Sequence, residues 1–281
     1  MKKFAAVLLT GIMVFSMAAC GGKGNDAGDS KETTEAVTTG AADDAETTAA
    51  SDETAAEKDD SKLIMATEAG FAPYEYTEDG KTVVGVDVDI ANEIAKAMGK
   101  ELEIQNMNFD SALLSVQQGK VDFAAAGISV TPEREEQMDF SIEYTTSRQV
   151  VVVNKEAQRV TSVDGVTADT VVGVQAGTVA DTYCQDDLGV KDLKQYNKFM
   201  EAAMDLKNDK IDCIIMDSLP AEEMVKENDD LEILDGEVFT DKYAIAVQKG
   251  NTELLDQINE VLQKLVDEGK VDEFIINHTT K

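Results

Sequence analysis

Apolar and polar positions along residues 62–129 change their period several times. The stretch KLIMATE (62–68) is an apolar run of strand length, whereas the apolar positions of GVDVDIANEIAKAM (85–98) recur with the 3.6-residue period of a helix. Two further strand-like runs, ELEIQNM and VDFAAAGIS, flank the helical segment FDSALLSVQQGK. FAPYEYTEDGK (71–81), with a proline and an Asp-Gly turn, predicts a loop. Strands that alternate with helices predict an α/β fold built on a parallel sheet.

The same pattern starts again after the apolar run RQVVVVNK (148–155). TVVGVQAGTVAD (170–181) is typical of a strand, a glycine turn and a helix, and a short strand is expected over 195–199. One motif occurs twice, at 117–127 and at 207–217. In each copy, the end of a helix is followed by a lysine, then by Val-Asp or Ile-Asp, and then by an apolar strand. Two similar α/β units predict two lobes with a cleft between them, and such clefts are favoured places for small ligands.

The first 20 residues form a separate, export-type pattern. Two lysines precede the apolar run 4–15, which is too short for an ordinary transmembrane span, so we expect a secretory signal. Residues 17–20, Met-Ala-Ala-Cys, also resemble the lipobox of bacterial lipoproteins, although leucine is usual where Met17 stands. The resemblance implies a mature chain that begins at lipidated Cys20 and is held on the outer face of a membrane. The alternative is an ordinary cysteine in a cleaved signal.

Residues 21–61 consist largely of Gly, Ser, Thr, Ala, Asp and Glu. The segment has no aromatic residue, and Val37 is its only larger aliphatic. Such a composition cannot bury enough apolar surface to offset the entropy of ordering the chain. We therefore expect a disordered acidic linker between the anchor and the folded part.

Composition excludes several kinds of chemistry. The 281-residue chain has a formal net charge of −31, so nucleic acid is not an expected partner; a soluble, self-repelling surface explains the acidity. Cys184 and Cys213 have no CxxC spacing and His278 is the only histidine, so we expect neither a metal site nor a cofactor. Export permits a disulfide between the two cysteines, and free buried thiols are the alternative.

One of only three arginines stands at an unexpected place in GISVTPEREEQ (127–137). Thr131 followed by Pro132 predicts a helix start, because threonine caps free amides and proline suits the first helical position. A cation in that first turn faces the positive end of the helix dipole, which costs about 0.3–1 kcal/mol. Arg134 therefore needs an anionic partner, either a protein acid or a ligand. The nearby protein acids are Glu135, Glu136 and Asp139.

Taken together, these stretches resemble a known family. GVDVDIANEIAKAM is similar to the signature of the polar amino-acid branch of the bacterial extracellular solute-binding proteins, family 3. The resemblance covers roughly residues 62–281 and includes ATEAGFAPYEY, NFDSALLSVQQGKVDFAAAGISVTPERE, VVGVQAGTVAD and KIDCIIMDS. It implies the type II periplasmic-binding-protein fold, in which two α/β lobes are joined by two crossing hinge strands. We place the hinge near residues 150–155 and 238–243.

Lobe boundaries and partners follow from the same resemblance. We expect lobe 1 over residues 62–152 plus 241–281 and lobe 2 over residues 153–240. The resemblance implies an extracytoplasmic, lipid-anchored monomer that is not an enzyme. Its partners would be a free amino acid in the cleft, the permease of an ABC importer and the membrane that holds the anchor.

The resemblance also assigns the site. The guanidinium of Arg134 would grip the ligand α-carboxylate, for which its planar fork is a bidentate match. The carboxylate would also meet the backbone amides of Ser129 and of Val179, which follows the Gly177 turn. The α-ammonium would meet the Gly127 carbonyl, the Ser129 hydroxyl and the Asp217 carboxylate. The side-chain pocket would contain Glu68, Phe71, Phe109 and Gln175.

Simpler roles stay open for some of these residues. Asp217 could cap the helix that follows it, and either phenylalanine could be ordinary core. The ligand itself is expected to be cationic or polar and neutral, with a lean to arginine or lysine, because a pocket that contains Glu68 and no nearby Lys or His would repel an acidic side chain.

Two other functions fit the same fold. An exported dehydratase-like enzyme could use it, since a fold does not determine a function; the chain offers no nucleophile–histidine pairing, however. A module that reports a ligand to a separate membrane receptor is the second alternative.

Overall fold

Fourteen strands and eight α-helices follow one another along residues 59–279, the part of the chain that this computed structural model describes. The strands are β1 (Lys62–Thr67), β2 (Gly70–Phe71), β3 (Glu75–Thr77), β4 (Val83–Val84), β5 (Glu101–Asn106), β6 (Phe123–Ala124), β7 (Met138–Phe140), β8 (Thr145–Asn154), β9 (Val171–Gln175), β10 (Asp192–Tyr196), β11 (Cys213–Asp217), β12 (Leu231–Ile233), β13 (Phe239–Tyr243) and β14 (Ala246–Gln248). The helices are α1 (Val86–Met98), α2 (Phe109–Gln117), α3 (Pro132–Glu135), α4 (Val179–Thr182), α5 (Phe199–Lys207), α6 (Ser218–Glu227), α7 (Thr252–Asp267) and α8 (Lys270–Thr279).

The strands form two large mixed sheets and one small sheet. The order is β5-β1-β6-β14-β7 in the first sheet and β10-β9-β11-β8-β12 in the second, where β13 also pairs with β8. The predicted parallel pairing is confirmed for β1 with β5 and β6 and for β9 with β10 and β11. β8 pairs antiparallel with β11, and β14 pairs antiparallel with β6, an orientation that the expected parallel sheet did not include. β2, β3 and β4 form the small antiparallel sheet across the segment that the sequence predicted as a loop.

The chain passes between the two large sheets twice. The first passage lies between β7 and β8, at residues 141–144, and the second lies between β13 and β14, at residues 244–245. The sequence had placed the first crossing at 150–155, but the valine run there pairs with β11 and β12 inside the second sheet. We call the first sheet with its helices the first lobe, and the sheet of β8 to β13 with its helices the second lobe. All described residues belong to one compact unit.

Alternation along the strands divides each core between the two faces of its sheet. In β8, Val150 and Val152 pack into the same core as α5, whereas Val151 and Val153 face a separate cluster on the other side. This is the period of two that a strand buried on both faces requires. In the first lobe, Ile90 and Ile94 of α1 are fully buried, and each contributes about 1.5–3 kcal/mol by leaving water.

The repeated Val/Ile-Asp motif forms the same hydrogen bonds in both lobes. In the first lobe, Asp122 accepts a bond from the Ile64 amide at 2.7 Å and returns one from its own amide to the Ile64 carbonyl at 2.9 Å. In the second lobe, Asp212 makes the equivalent pair with Val171 at 2.9 and 2.8 Å. Each aspartate therefore ties the strand that follows it to the first parallel strand of its own lobe.

The described structure begins just before β1. Residues 59–61, predicted as the end of the linker, already form a turn: the Lys62 amide donates to the Asp59 carbonyl, and the Glu101 amide donates to the Ser61 carbonyl, both at 2.9 Å. The predicted signal, lipidated Cys20 and linker residues 21–58 lie outside the described residues. Between residues 59 and 279, none of the helices combines the length and apolar character that a membrane span requires.

Candidate functional site

Both lobes present polar side chains to the cleft from the carboxyl ends of their strands. Glu68 directly follows β1, Gln175 ends β9 and Asp217 ends β11. All three are buried, with exposed fractions of 2%, 3% and 7%. Ligands of open α/β sheets sit at this end of the strands, so the topology alone brings these residues together.

One narrow cavity between the lobes collects nine of the ten residues that the sequence assigned to the site. Its lining also contains Glu75, Ala126 and Thr178. The tenth residue, Gly177, lies beside the cavity, where its carbonyl accepts a hydrogen bond from Arg134. The nine predicted residues are Glu68, Phe71, Phe109, Gly127, Ser129, Arg134, Gln175, Val179 and Asp217.

The arginine end of the cleft is held by backbone groups. Thr131 caps the short helix α3 as predicted, because its hydroxyl accepts from the Arg134 amide at 3.3 Å. The Arg134 guanidinium donates to the Ser129 carbonyl at 2.6 Å and, across the cleft, to the Gly177 carbonyl at 2.9 Å. It also lies 5.5 Å from the centre of the Phe109 ring, within the range of a cation–π contact.

The guanidinium of Arg134 forms no ion pair with a carboxylate among residues 59–279, and the protein acids that the sequence offered as partners are not used. Asp139 instead pairs with Lys249 at 2.7 Å. Burial lowers the pKa of Arg134 to about 10, so the side chain stays charged at neutral pH. The hydrogen bonds of this partly buried cation go to neutral carbonyls, so its positive charge is not neutralised by a bonded anion. The side chain is therefore suited to bind an incoming anion.

Asp217 does not cap helix α6 with its side chain. Its Oδ1 accepts hydrogen bonds from the hydroxyl of Ser147, at 2.7 Å, and from that of Tyr243. Burial, and then the nearby Asp241 carboxylate, raises the pKa of Asp217 to about 6. An acid that is desolvated and repelled by a second acid is stabilised by a cation, and an ammonium group would supply one.

Asp241 belongs to the same constellation and was missed by the sequence reasoning. Its Oδ2 accepts from the Ser129 hydroxyl at 2.7 Å and from the Gln149 amide at 3.4 Å, so the hydroxyl assigned to the ligand is bonded to a protein acid here. Its Oδ1 is buried without a hydrogen-bond partner among the described residues. Burial raises its pKa. The only sequence signal was its place in the strand expected to cross between lobes.

A buried pair of acids supports the loop of Gly127. Asp87, the first acid of the GVDVD signature, accepts from the Gly127 amide at 3.0 Å and from the Tyr144 hydroxyl at 2.7 Å. Burial, and then the Asp87 charge, raises the pKa of Glu75 well above its usual range. The signature acid therefore positions a backbone segment of the cavity.

The opposite end of the cleft is held by side chains. Glu68 Oε2 accepts from the Gln175 amide at 3.0 Å, and Gln175 also donates to the Asn197 carbonyl at 3.0 Å. Glu68 Oε1 lies 3.8 Å from Lys198 Nζ. Burial raises the pKa of Glu68, while Gln175 and Lys198 act in the opposite direction. The expectation that no lysine lies near Glu68 was wrong, because the fold brings Lys198 of the second lobe against it.

The two predicted aromatic residues have different neighbours. Phe71 stacks against Phe199 of the second lobe, with ring centres 6.0 Å apart, and against Tyr74 at 5.8 Å. Phe109 lies beneath Arg134 at the start of α2. Both rings are buried and both line the cavity, so each serves as core and as cavity wall.

The glycine turn of the second lobe approaches the first lobe closely. Gly177 has φ +77°, and a Cβ there would overlap the Asp110 carboxylate across the cleft. The helix α4 that follows is capped by Thr178, whose hydroxyl accepts from the Asp181 amide at 3.3 Å, and it begins at Val179. Only glycine satisfies both the backbone conformation and the close approach at residue 177.

The cysteines lie away from this cavity. Cys184 and Cys213 are free thiols in one buried cluster of the second lobe. Burial raises the pKa of Cys184 to about 12 and that of Cys213 further, so both stay protonated and unreactive at neutral pH. Within the described residues, no group of three His, Cys, Asp or Glu side chains is placed to hold a metal ion.

Comparisons with known proteins agree with this architecture. The family model of the bacterial extracellular solute-binding proteins, family 3, matches residues 63–279. The arginine-binding extracellular protein ArtP of Bacillus subtilis is 30% identical over 97% of this chain and 96% of its own. The glutamine-binding protein GlnH of the same organism is 28% identical over the same shares. The crystal structure of AbpA from Streptococcus pneumoniae, bound to L-arginine, is 35% identical with a TM-score of 0.74, over 78% of this chain and 95% of that one.

Proposed function

The chain belongs to the bacterial extracellular solute-binding proteins, family 3, and from this membership we propose that it binds a free α-amino acid between its lobes and delivers it to an ABC importer. The observation that carries the proposal is Arg134. Its charge is desolvated and has no carboxylate partner among the described residues, while the same cavity contains the Asp217 carboxylate. Within one cavity, a guanidinium that forms no ion pair with a described carboxylate and the desolvated carboxylate of Asp217 match the two charged groups of an amino acid.

The proposed binding mode uses both lobes. The ligand carboxylate bonds to Arg134 and to the backbone amides of Ser129 and Val179. The ammonium bonds to the Gly127 carbonyl, the Ser129 hydroxyl and Asp217, and Asp241 adds a second negative charge nearby. Because Asp217, Asp241 and Val179 belong to the second lobe and Gly127, Ser129 and Arg134 to the first, a ligand favours the closed arrangement by as much as it binds that arrangement better.

The side-chain class follows from charge. Glu68, Gln175 and the rings of Phe71 and Phe109 form the remaining wall, and Glu68 repels an acidic ligand side chain. A cationic or a polar neutral amino acid fits, and we favour arginine or lysine. ArtP and AbpA, which are named for or bound to arginine, support this lean, whereas GlnH shows that a similar chain can be named for glutamine.

The binding reading is favoured over catalysis by the place of the histidine. His278 is the only histidine of the chain, and its ring nitrogens contact the Tyr76 hydroxyl at 3.0 Å and Asp89 at 2.9 Å on the first lobe. It does not line the cavity that contains Arg134. The cavity residues therefore offer charge recognition without a histidine to activate a nucleophile.

We also propose that the protein acts outside the cytoplasm as a lipid-anchored monomer. The export-type pattern of residues 1–20, Cys20 at the lipobox position and the acidic segment 21–58 support a signal, an anchor and a tether. Labelling of growing cells with a palmitate analogue tests the anchor, with Cys20→Ala as the control: label on the wild type and none on the variant is the expected result.

Thermal unfolding of the purified protein with each common amino acid at about 1 mM tests the binding proposal. A micromolar ligand stabilises the folded state by roughly 4 kcal/mol through mass action, which raises the unfolding temperature by several degrees. The protein should first be unfolded and refolded to remove carried ligand. A shift with arginine, lysine or a polar neutral amino acid supports the proposal. A shift with glutamate alone contradicts the ligand class, and no shift at all contradicts amino-acid binding.

A further inference from the structure

Glu68 is a buried carboxylate with one incompletely bonded oxygen. Its side chain is 2% exposed, and Oε2 accepts from Gln175. Oε1 is buried and has no hydrogen-bond donor among the described residues. The nearest cation, Lys198 Nζ, lies 3.8 Å away, which is ion-pair distance but beyond a hydrogen bond. A buried acid oxygen with a charge nearby and no donor can still accept a hydrogen bond from a ligand.

Lys198 reaches Glu68 from the opposite lobe. It stands directly before helix α5, one residue from Phe199, whose ring stacks on Phe71 of the first lobe. Its side chain is 48% exposed, so the ammonium group keeps contact with water. A separate cavity of about 290 Å³ is lined by Lys198, Phe199, Ala69 and Gly70 among others. The lysine therefore has room to leave Glu68.

We propose that Lys198 is an internal counter-cation for Glu68, which competes with the side chain of a cationic ligand and so lowers the preference of the cleft for arginine or lysine over a neutral amino acid. This inference rests on the proposed amino-acid-binding function. It adds a selectivity residue from outside the resemblance, one that does not line the ligand cavity itself.

Charge and solvation give the direction of the effect. A guanidinium or ammonium that donates to Glu68 Oε1 comes within a few ångströms of Lys198, and the two cations repel each other unless the lysine withdraws into water. Either response costs free energy that a neutral ligand does not incur. An amide side chain, such as that of glutamine, can bond to Glu68 or Gln175 while Lys198 stays in place. Removing the lysine charge should therefore help cationic ligands selectively.

The experiment is isothermal titration of the purified full chain with L-arginine and with L-glutamine, for the wild type, Lys198→Gln, Lys198→Glu and Lys198→Arg. The matched control is Lys194→Gln, because Lys194 is 47% exposed in the same lobe and pairs with Asp192 instead of Glu68. Because Lys198 is 48% exposed and its charge is screened by water, its interaction with Glu68 is worth up to about 1 kcal/mol, so Lys198→Gln should raise the arginine-to-glutamine affinity ratio about three- to fivefold. Lys198→Glu should raise it further, whereas Lys198→Arg and the control should leave it near the wild-type value.

The two proposals fail in different ways. If neither amino acid binds to the wild type or to any variant, amino-acid binding and the selectivity inference both fall. If at least one binds to the wild type and the ratio stays within twofold across the charge series, binding stands and the role of Lys198 is refuted. A ratio that rises equally in the Lys194 control also refutes it, because the effect would then come from overall charge. The retained ratio in Lys198→Arg guards against a misfolded variant.

Discussion

The two ends of the cleft join the lobes in opposite ways. At one end, the cation Arg134 of the first lobe donates a hydrogen bond to the backbone carbonyl of Gly177 in the second lobe. At the other end, the anion Glu68 of the first lobe contacts the side chains of Gln175 and Lys198 in the second lobe. A backbone group is the same whatever residue carries it, whereas a side chain is specific. The first end is thus suited to the part that all amino acids share, and the second to the part that differs.

The largest effect should come from the shared end. Arg134→Ala leaves the ligand carboxylate and the Ser129 and Gly177 carbonyls unmatched, so every amino-acid ligand should lose about 2–4 kcal/mol of binding free energy. Arg148→Ala is the control, because Arg148 is exposed on β8. Titration calorimetry measures both. Near-normal affinity in Arg134→Ala would show that the cation has a structural role only.

Asp217→Asn should lower affinity and raise stability together. Loss of the charged partner of the ammonium group should cost about 2–3 kcal/mol of binding. The folded pKa of about 6 lies above the ordinary value of 3.8, so ionisation of Asp217 disfavours the unliganded fold as pH rises from about 4 through 6. The variant lacks this penalty, which is at most about 3 kcal/mol. Its unfolding temperature should therefore exceed that of the wild type by more at pH 7 than at pH 4.5.

The same pKa predicts how ligand binding depends on pH. An ammonium group needs the ionised carboxylate, so wild-type affinity should fall as pH drops below about 6, by up to about tenfold per unit. The slope between pH 5 and 6 should be shallower in Asp217→Asn and unchanged in Asp235→Asn, whose side chain is exposed. Titration at three pH values measures it. Equal slopes in all three proteins would place the titrating group elsewhere.

Glu68→Gln should act on selectivity. It keeps the size of the side chain but removes the negative charge, so arginine should lose about 1–2 kcal/mol and glutamine much less. Glu101→Gln on β5 is the exposed control. Competition between labelled arginine and unlabelled glutamine reads the difference directly. Equal losses for both ligands would assign Glu68 to general packing of the cleft.

The smallest effects should come from the two threonine caps. Thr131 and Thr178 each accept from a backbone amide at 3.3 Å at the start of a short helix, one on each side of the arginine end. Each alanine substitution should lower the free energy of unfolding by about 1 kcal/mol. Chemical denaturation of the two variants tests whether the lobes are equally dependent on their caps; a loss in only one variant would break the symmetry.

The sequence predicted the parts of this structure that depend on nearby residues. The helix start at Thr131-Pro132 is a local pattern, and it is confirmed. The strand expected at 195–199 lies at 192–196 instead, because Phe199 packs into the core as the first residue of α5. The sequence Tyr196-Asn197-Lys198-Phe199 does not show by itself whether the strand ends at 196 or at 199.

Contacts between distant segments were not predictable in this way. Lys198 meets Glu68, and Asp241 meets Ser129, only because the lobes face each other. Lys198 lies in a loop that lacks a periodic pattern, and Asp241 lies in a strand with polar and apolar residues mixed. The buried pair of Glu75 and Asp87 shows a further limit, since acids normally mark an exposed surface.

The matching hydrogen bonds of Asp122 and Asp212 each lie within one lobe, so the same local tie occurs once on either side of the cleft. Residues 145–243 enter and leave the second lobe through only two short passages, at 141–144 and 244–245. A hybrid that keeps the first lobe and takes the second from ArtP keeps the two bonds between Asp122 and Ile64, because both lie within the first lobe. Its ligand preference would then show whether the second-lobe side of the selective end, with Gln175 and Lys198, has more influence than Glu68 of the first lobe.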